Sequence, residues 1–254
     1  VVRVLSPAAE DAKRQHRERA VLVAERTAHG NRITGLLMLL GIRGVNPRRR
    51  DFVAHLETLV TATGEPLPSH TKQALTREHE RLCVSERQIR EIEASQAAAI
   101  QGTSEKAASL TEEGRGGSGI DQAALLLRLR GLGQIGASVL SRQVLYRRFD
   151  NRREVASYFG LTPSPYNSGS MRTDQGIGKA GNPRARTMAI ELAWLWVRHQ
   201  PESALTHWFL ERVGNGTGRI RRIAIVALAR KLMIALWRYV TIGMIPVGAV
   251  MKPA

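Results

Sequence analysis

Apolar positions along this chain recur at helical rather than strand spacing. Ile33, Leu36, Leu37 and Leu40 fall at i, i+3, i+4 and i+7, one face of a helix. Upstream, Ser6-Pro7 followed by Glu10 and Asp11 reads as a helix start: a capping hydroxyl, proline in the first turn, then acids near the positive end of the dipole. A long, charge-mixed helix is expected from there to about Leu40. Gly41, Gly44, Asn46 and Pro47 end it, and Arg48-Arg49-Arg50 decorates the loop. A short helix over Asp51 to Ala62 comes next, then the breaker run TGEPLPS, then a second long helix from Ser69 to about Gln101. Within it Leu75, Leu82 and Ile89 are seven apart, with Ile92 at the next seam position, among many Glu and Arg. That spacing fits an antiparallel helical hairpin or a coiled coil. It equally fits a helix packed within its own domain.

The pattern breaks at EEGRGGSG, a flexible linker by composition. The expected division is a helical or coiled-coil region over 1–111, a linker over 112–119 and a second domain over 120–254. No strand–helix–strand alternation appears, so the fold class expected is mainly α. In DQAALLLRLRGLGQIGASVLSRQVL a helix ends at Gly131-Leu132-Gly133 and another begins near Gln134. Such a glycine turn lets backbone approach a phosphate, with the free N–H groups of the second helix aimed at it. This is the logic of a helix-hairpin-helix, which binds the DNA backbone without reading sequence. Arg128, Arg130 and Arg142 flank the turn. An ordinary glycine-joined helix pair is the plainer reading.

Next, YRRFDNRREVASYFGL gathers Arg147, Arg148, Arg152 and Arg153 around Asp150. It leads into GLTPSPYNSGSMRTDQGIGKAGN, a long irregular loop carrying the hydroxyls of Thr162, Ser164, Ser168 and Ser170. A helix then starts after Asn182-Pro183, with Arg184 and Arg186 in its first turn, where cations oppose the dipole. An anion docked there would offset that cost. The last helix, about Arg219 to Val240, lines Ile225, Leu228, Leu232, Leu236 and Tyr239 on one face and Arg230, Lys231 and Arg238 on the other.

Charge sharpens this picture. Thirty-eight Lys and Arg against 22 Asp and Glu give a net charge of +16 over 254 residues, which points to a polyanionic partner, nucleic acid before acidic membrane. Cys83 is the only cysteine, so no internal disulfide forms, as expected of a reducing cytosol. The longest apolar run, Ile223 to Val250, is interrupted by Arg230, Lys231 and Arg238; no membrane span or signal peptide is expected. The basic last helix raises a membrane-surface reading, for which the basic character of the whole second half is the counter-argument. His79 and Cys83 stand at i, i+4 without a second pair, so no metal site is expected. No nucleotide-binding fingerprint is present, nor a carboxylate-bearing strand of the two-metal nuclease kind.

The runs LLRLRGLGQIGASVLSRQV, RRFDNRREVASYFGLTPSPYNSGS and GIGKAGNPRAR resemble the carboxy-terminal domain of bacterial insertion-sequence transposases of the IS-one-ten type, with its eleven-eleven subgroup. The order and spacing match through Arg128 to Arg186. The first half is similar to that family's helical region, and IRRIAIVALARKLMIALWRYVTIGMIPVGAV to its tail. The resemblance implies DNA strand exchange by a composite site, in which a RuvC-like domain with four acids and metal joins a domain with a nucleophilic serine. Some members are guided by a structured RNA.

By the motif match that serine is Ser168, before Gly169, with Ser170 the lesser candidate. A serine–phosphate link stores the broken bond, so rejoining needs no external energy source, and Arg172, Lys179, Arg184 and Arg186 are near enough in sequence to stabilise charge on phosphorus. Without the resemblance, a serine in Asn-Ser-Gly is a turn residue. The family's acidic domain has no counterpart here, and Asp11 and Asp51 receive no catalytic role. The expectation is therefore a truncated transposase, not autonomously active. It carries no cofactor of its own, and a divalent metal such as Mg comes only with the acidic domain. DNA is the expected partner, with a guide RNA a further one. A homo-oligomer through the helical region is expected, and a nucleoid-associated place in a bacterial cytoplasm. The alternative is a non-enzymatic nucleic-acid-binding remnant that uses the glycine hairpin and the basic helices.

Overall fold

The computed structural model describes residues 7–107, 119–168 and 171–252. The expected mainly α fold is found. The chain divides into two compact units at Ser95. Ser6, the anticipated cap of the first helix, lies outside the described residues, as do residues 112–118 of the linker expected over 112–119.

The first unit contains α1 (Pro7–Leu39), α2 (Phe52–Leu56) and the greater part of α3 (Ser69–Ala107). Its core joins Ile33 and Leu37 of α1 to Phe52 and Leu56 of α2 and to Leu67, Leu75 and Leu82. Leu75, Leu82 and Ile89, the seven-spaced positions, are all buried. Arg19 reaches Glu93 at 2.7 Å while His29 reaches Glu78 at 2.6 Å. The α1 numbers rise as the α3 numbers fall, so the two helices run antiparallel there. The second helix is much shorter than the expected 51–62. Thr58 turns its hydroxyl onto the carbonyl of His55, and the chain leaves the helix for a turn in which Thr61 N–H donates to Glu65 O. Hydroxyl side chains compete with the helix for its own carbonyls in this way, and the β-branched Thr58, Val60, Thr61 and Thr63 add their preference for extended backbone.

The second unit continues with α4 (Gly119–Leu127), α5 (Gln134–Leu140), one π turn (Ser141–Leu145) and α6 (Arg152–Tyr158). Then come strands β1 (Pro163–Ser168) and β2 (Met171–Ile177), and the helices α7 (Pro183–His199), α8 (Ala204–Val213) and α9 (Gly218–Ile242). The core is centred on α7 and α9. Ala189, Leu192, Ala193 and Trp196 face Ile225, Leu228, Leu232 and Leu236 within one buried cluster. Trp196 is fully buried, and its indole N–H donates to Ser203 Oγ at 3.1 Å, so the largest core side chain keeps its polar atom satisfied.

Two elements differ from expectation. The stretch expected to be an irregular loop is largely an antiparallel hairpin, with Tyr166 opposite Thr173, Asn167 opposite Arg172 and Ser168 opposite Met171. Two-stranded pairing leaves an outer edge on each strand, where Pro163 and Pro165 are tolerated, and the register shifts between them. The helix α8 was not anticipated. Its start is set by Ser203, whose hydroxyl accepts from Leu205 N–H at 3.3 Å.

Candidate nucleic-acid interface

The base of the β1–β2 hairpin is built from backbone meeting backbone. Gly160 has φ +63, and a Cβ on Gly181 would fall 2.3 Å from Gly160 N and from Tyr158 O. No side chain fits at that distance, so both glycines are demanded by packing rather than by flexibility. Gly178 N–H donates to Thr162 O at 2.9 Å. Lys179 follows with φ +54, a left-handed conformation uncommon for a residue with a side chain. Its carbonyl accepts from Arg186 Nη1 at 3.0 Å. Lys179 and Arg186 are thus brought together at the foot of the hairpin. Ser168 ends β1 at the other end of the ladder, opposite Met171, and Arg172 lies one step down β2. Ser170 lies outside the described residues.

Arg184 is exposed one turn away, at the start of α7. The expected Asn182 cap is present at this helix start. Asn182 Oδ1 accepts from Arg184 N–H at 3.1 Å and from Ala185 N–H at 3.2 Å, and Arg186 N–H donates to Asn182 O. The cap is already filled by protein. Asn182 also ties the helix to α6: its N–H donates to Tyr158 O at 2.8 Å, and Tyr158 Oη donates to Gln143 O at 2.7 Å. Arg147 stacks on the Tyr158 ring, 5.0 Å from its centroid. Asn151 caps α6 reciprocally with Glu154. This capping box fixes the run that carries Arg152 and Arg153.

The glycine turn between α4 and α5 is held otherwise. Gly131 has φ +89, and a Cβ there would lie 3.0 Å from His199 Cβ and 3.4 Å from Leu195 O. The close approach it permits is to α7. Gly133 caps α5 with nothing within 4 Å of a would-be Cβ, so that side is open. The carbonyls of the turn are occupied. Gln200 donates to Arg130 O at 2.7 Å and to Val250 O at 2.9 Å, and Lys252 Nζ donates to Leu132 O at 2.8 Å. Partial burial there lowers the Lys252 pKa. Arg128 and Arg130 remain exposed. Arg142 sits in the π turn, half-buried, and burial lowers its pKa.

The expected residues therefore form three groups, with Ser168 and Arg172 at the far end of the hairpin. Lys179, Arg184 and Arg186 stand at the start of α7, and Gly131 packs on its end. From Arg186 to His199 the helix rises roughly 20 Å, too far for one phosphate to touch both of these groups. What these two share is surplus charge. Arg128, Arg130, Arg148, Arg152, Arg153 and Arg184 are exposed and have no carboxylate at ion-pair distance among the described residues. In the first unit, by contrast, Arg19, Arg32, Arg48, Arg49 and Arg81 all have one. No group of three or more His, Cys, Asp and Glu able to hold a metal occurs among the described residues. Among them also, no helix is long and apolar enough to cross a membrane.

Comparison with known proteins gives this surface a lineage. Residues 123–207, from the last turns of α4 to the first turn of α8, match the family described as Transposase IS116/IS110/IS902 family. The chain is 46% identical over 253 residues to "Putative transposase y4rJ" of Sinorhizobium fredii, an alignment covering 99% of this chain and 63% of that protein. It is 28% identical over 239 residues to "Probable family 20 transposase" of Pseudomonas aeruginosa, covering 93% of this chain and 65% of the relative. These matches make the chain similar, over nearly its whole length, to transposases of the IS116/IS110/IS902 family. It spans somewhat less than two thirds of the length of either relative.

Proposed function

We propose that the chain is the DNA-binding and strand-exchange portion of an insertion-element transposase, with Ser168 as its nucleophile. The observation that carries the reading is the coincidence of the matched region with the hairpin. The family match over 123–207 contains both the strand ending in Ser168 and the glycine-locked base that fixes where that strand emerges.

In this reading the unpaired arginines of the second unit engage DNA phosphates, which positions the duplex without reading its sequence. Ser168 Oγ attacks a phosphodiester phosphorus. A bond forms between serine oxygen and phosphorus, and one ester bond of the DNA breaks. The departing DNA oxygen takes up a proton, and the serine proton passes to a base. The energy of the broken ester is retained in the phosphoserine link, so the reverse attack by a DNA hydroxyl rejoins the strand. Arg172, next to Ser168 in the ladder, supplies positive charge near the reacting phosphate, while Lys179, Arg184 and Arg186, at the foot of the hairpin, engage the DNA backbone further along. Lys179 and Arg186 also do a second job, holding the hairpin base through their shared hydrogen bond. The resemblance assigns the metal to the family's acidic domain. The described residues hold no cluster of His, Cys, Asp and Glu that would fit such a group. A guide RNA and self-association through the first unit belong to the same proposal as further partners.

The test is a trapped protein–DNA adduct. The chain is combined with the acidic domain of a family member, metal and element-end DNA, and denatured products are resolved by gel. An adduct formed by wild type and lost in Ser168→Ala is expected. No adduct, or an equal one with Ser168→Ala, refutes the nucleophile and leaves the non-enzymatic nucleic-acid binder.

A further inference from the structure

The first unit holds a basic cleft of its own. Residues 42–46 and Arg49, between α1 and α2, border an open cavity of about 620 Å³. Arg43, Arg49 and His55 supply its polar wall, and Ile42, Val45 and Leu59 its apolar one. A second cavity of about 320 Å³ shares Arg43 and continues along Leu37 and Met38. Gly44, with φ +75, has nothing within 4 Å of where a Cβ would stand, so the mouth is clear of protein.

Charge at this cleft is unequally compensated. Arg49 is held by both carboxylate oxygens of Asp51, at 2.9 and 2.7 Å, and Arg48 reaches Glu86 at 3.2 Å. Arg43 and Arg50 are exposed and have no carboxylate partner among the described residues. Among the described residues that line the cleft, Arg43 is thus the arginine without a carboxylate partner, and Asp51 limits what Arg49 can give.

We infer that this cleft is a second nucleic-acid contact, seating one phosphodiester of a single strand. The phosphate lies against Arg43, and the sugar and base edge lie on Ile42, Val45 and Leu59. A cationic wall beside an apolar one matches a nucleotide, which is itself charged on one side and apolar on the other. The cleft is open, and the exposed Arg50, unpaired among the described residues, adds charge along the chain, so a polyanion gains more here than a lone anion does. The inference rests on the reading that this protein acts on nucleic acid.

The experiment is binding of a fluorescent single-stranded oligonucleotide to the full chain across a salt series. The variants are Arg43→Ala, Arg43→Lys and, as an exposed control paired with Glu91, Arg87→Ala. Arg43→Ala should weaken binding about fivefold and reduce the slope of log affinity against log salt by about 0.7, the contribution of one single-strand phosphate contact. Arg43→Lys should keep the slope, and Arg87→Ala should stay within about twofold. Unchanged thermal unfolding of Arg43→Ala shows that the fold is intact. If wild type binds and Arg43→Ala behaves as Arg87→Ala does, the cleft is not a contact. If wild type binds no nucleic acid at all, the proposed function fails and this inference with it.

Discussion

Gly160 and Gly181 meet backbone to backbone at the foot of the β1–β2 hairpin. A Cβ on Gly181 would stand 2.3 Å from Gly160 N, inside any real contact distance. A methyl group there must push the two chain segments apart. Gly181→Ala is expected to cost about 1–3 kcal/mol, as overpacking does. Gly178→Ala is the control, since its Cβ would meet nothing closer than Thr162 O at 3.7 Å. Denaturant unfolding of the two variants compares them directly. Equal stability of the pair would show that the hairpin base yields more than its packing implies.

Asn182 joins α7 to α6, and its loss should be felt in both. Its side chain caps α7 through Arg184 and Ala185 and approaches Tyr158 Oη at 3.4 Å. Asn182→Ala should lower stability by about 1 kcal/mol, the usual worth of an N-cap. Tyr158→Phe removes the bond to Gln143 O and should cost about 1 kcal/mol. The two positions share a contact, so the double variant should cost less than the sum. A thermodynamic cycle from urea unfolding measures the coupling, and strict additivity would separate the cap from the tyrosine.

The helices were legible where local chemistry matched the tertiary outcome. Asn182-Pro183 announced α7 because a cap and a first-turn proline act within a few residues. Leu75, Leu82 and Ile89 announced a buried stripe because their spacing already encodes one face. The hairpin was hidden because PSPYNS and MRTDQGI show no apolar alternation, and two prolines argue against a strand. Its base depends on Gly160 meeting Gly181, a contact between residues far apart in sequence. Gly131 was legible as a special backbone position but not in its purpose. Its freedom serves contact with His199, and His199 is not its neighbour in sequence. The role proposed for Ser168 rests on resemblance, since no local pattern separates it from a turn serine. The cleft at Arg43 was not legible, because which arginines of the loop lack a carboxylate is decided by contacts such as that of Arg48 with Glu86, far away in sequence.

Gln200 is the polar keystone of the second unit. It is fully buried, donates to Arg130 O and Val250 O, and accepts from Val250 N–H at 2.7 Å. The C-terminal strand-like segment is thereby clipped onto the α4–α5 turn, beside the bridge between Leu129 and Met251. Gln200→Ala leaves these backbone groups short of partners and should cost about 2–4 kcal/mol. Hydrogen exchange supplies the sharper reading. The Val250 amide should lose protection far more than amides in the middle of α9. Uniform loss across the unit would mean that Gln200 supports the whole core rather than this clip.

Acid should loosen the first unit before the second. Burial pushes the Glu78 carboxyl up, but the His29 hydrogen bond and charge, aided by Arg32, leave it below its ordinary value. The Arg49 hydrogen bond holds Asp51 down at about 2. A carboxylate with a depressed folded pKa lends stability that is complete above its unfolded pKa of about 4 and is lost as pH falls through the folded value. The contribution should therefore fade from about pH 4 downward. Glu78 is largely shielded from solvent and also pairs with Arg81 at 2.7 Å, so Glu78→Gln should cost about 1–3 kcal/mol at neutral pH and flatten the acid limb. Asp51 is exposed, so Asp51→Asn should change that limb without much effect at pH 7. Unfolding followed from pH 7 to pH 2, with a probe confined to residues of α1 and α3, reads both. An acid limb as steep in Glu78→Gln as in wild type would remove Glu78 as its source.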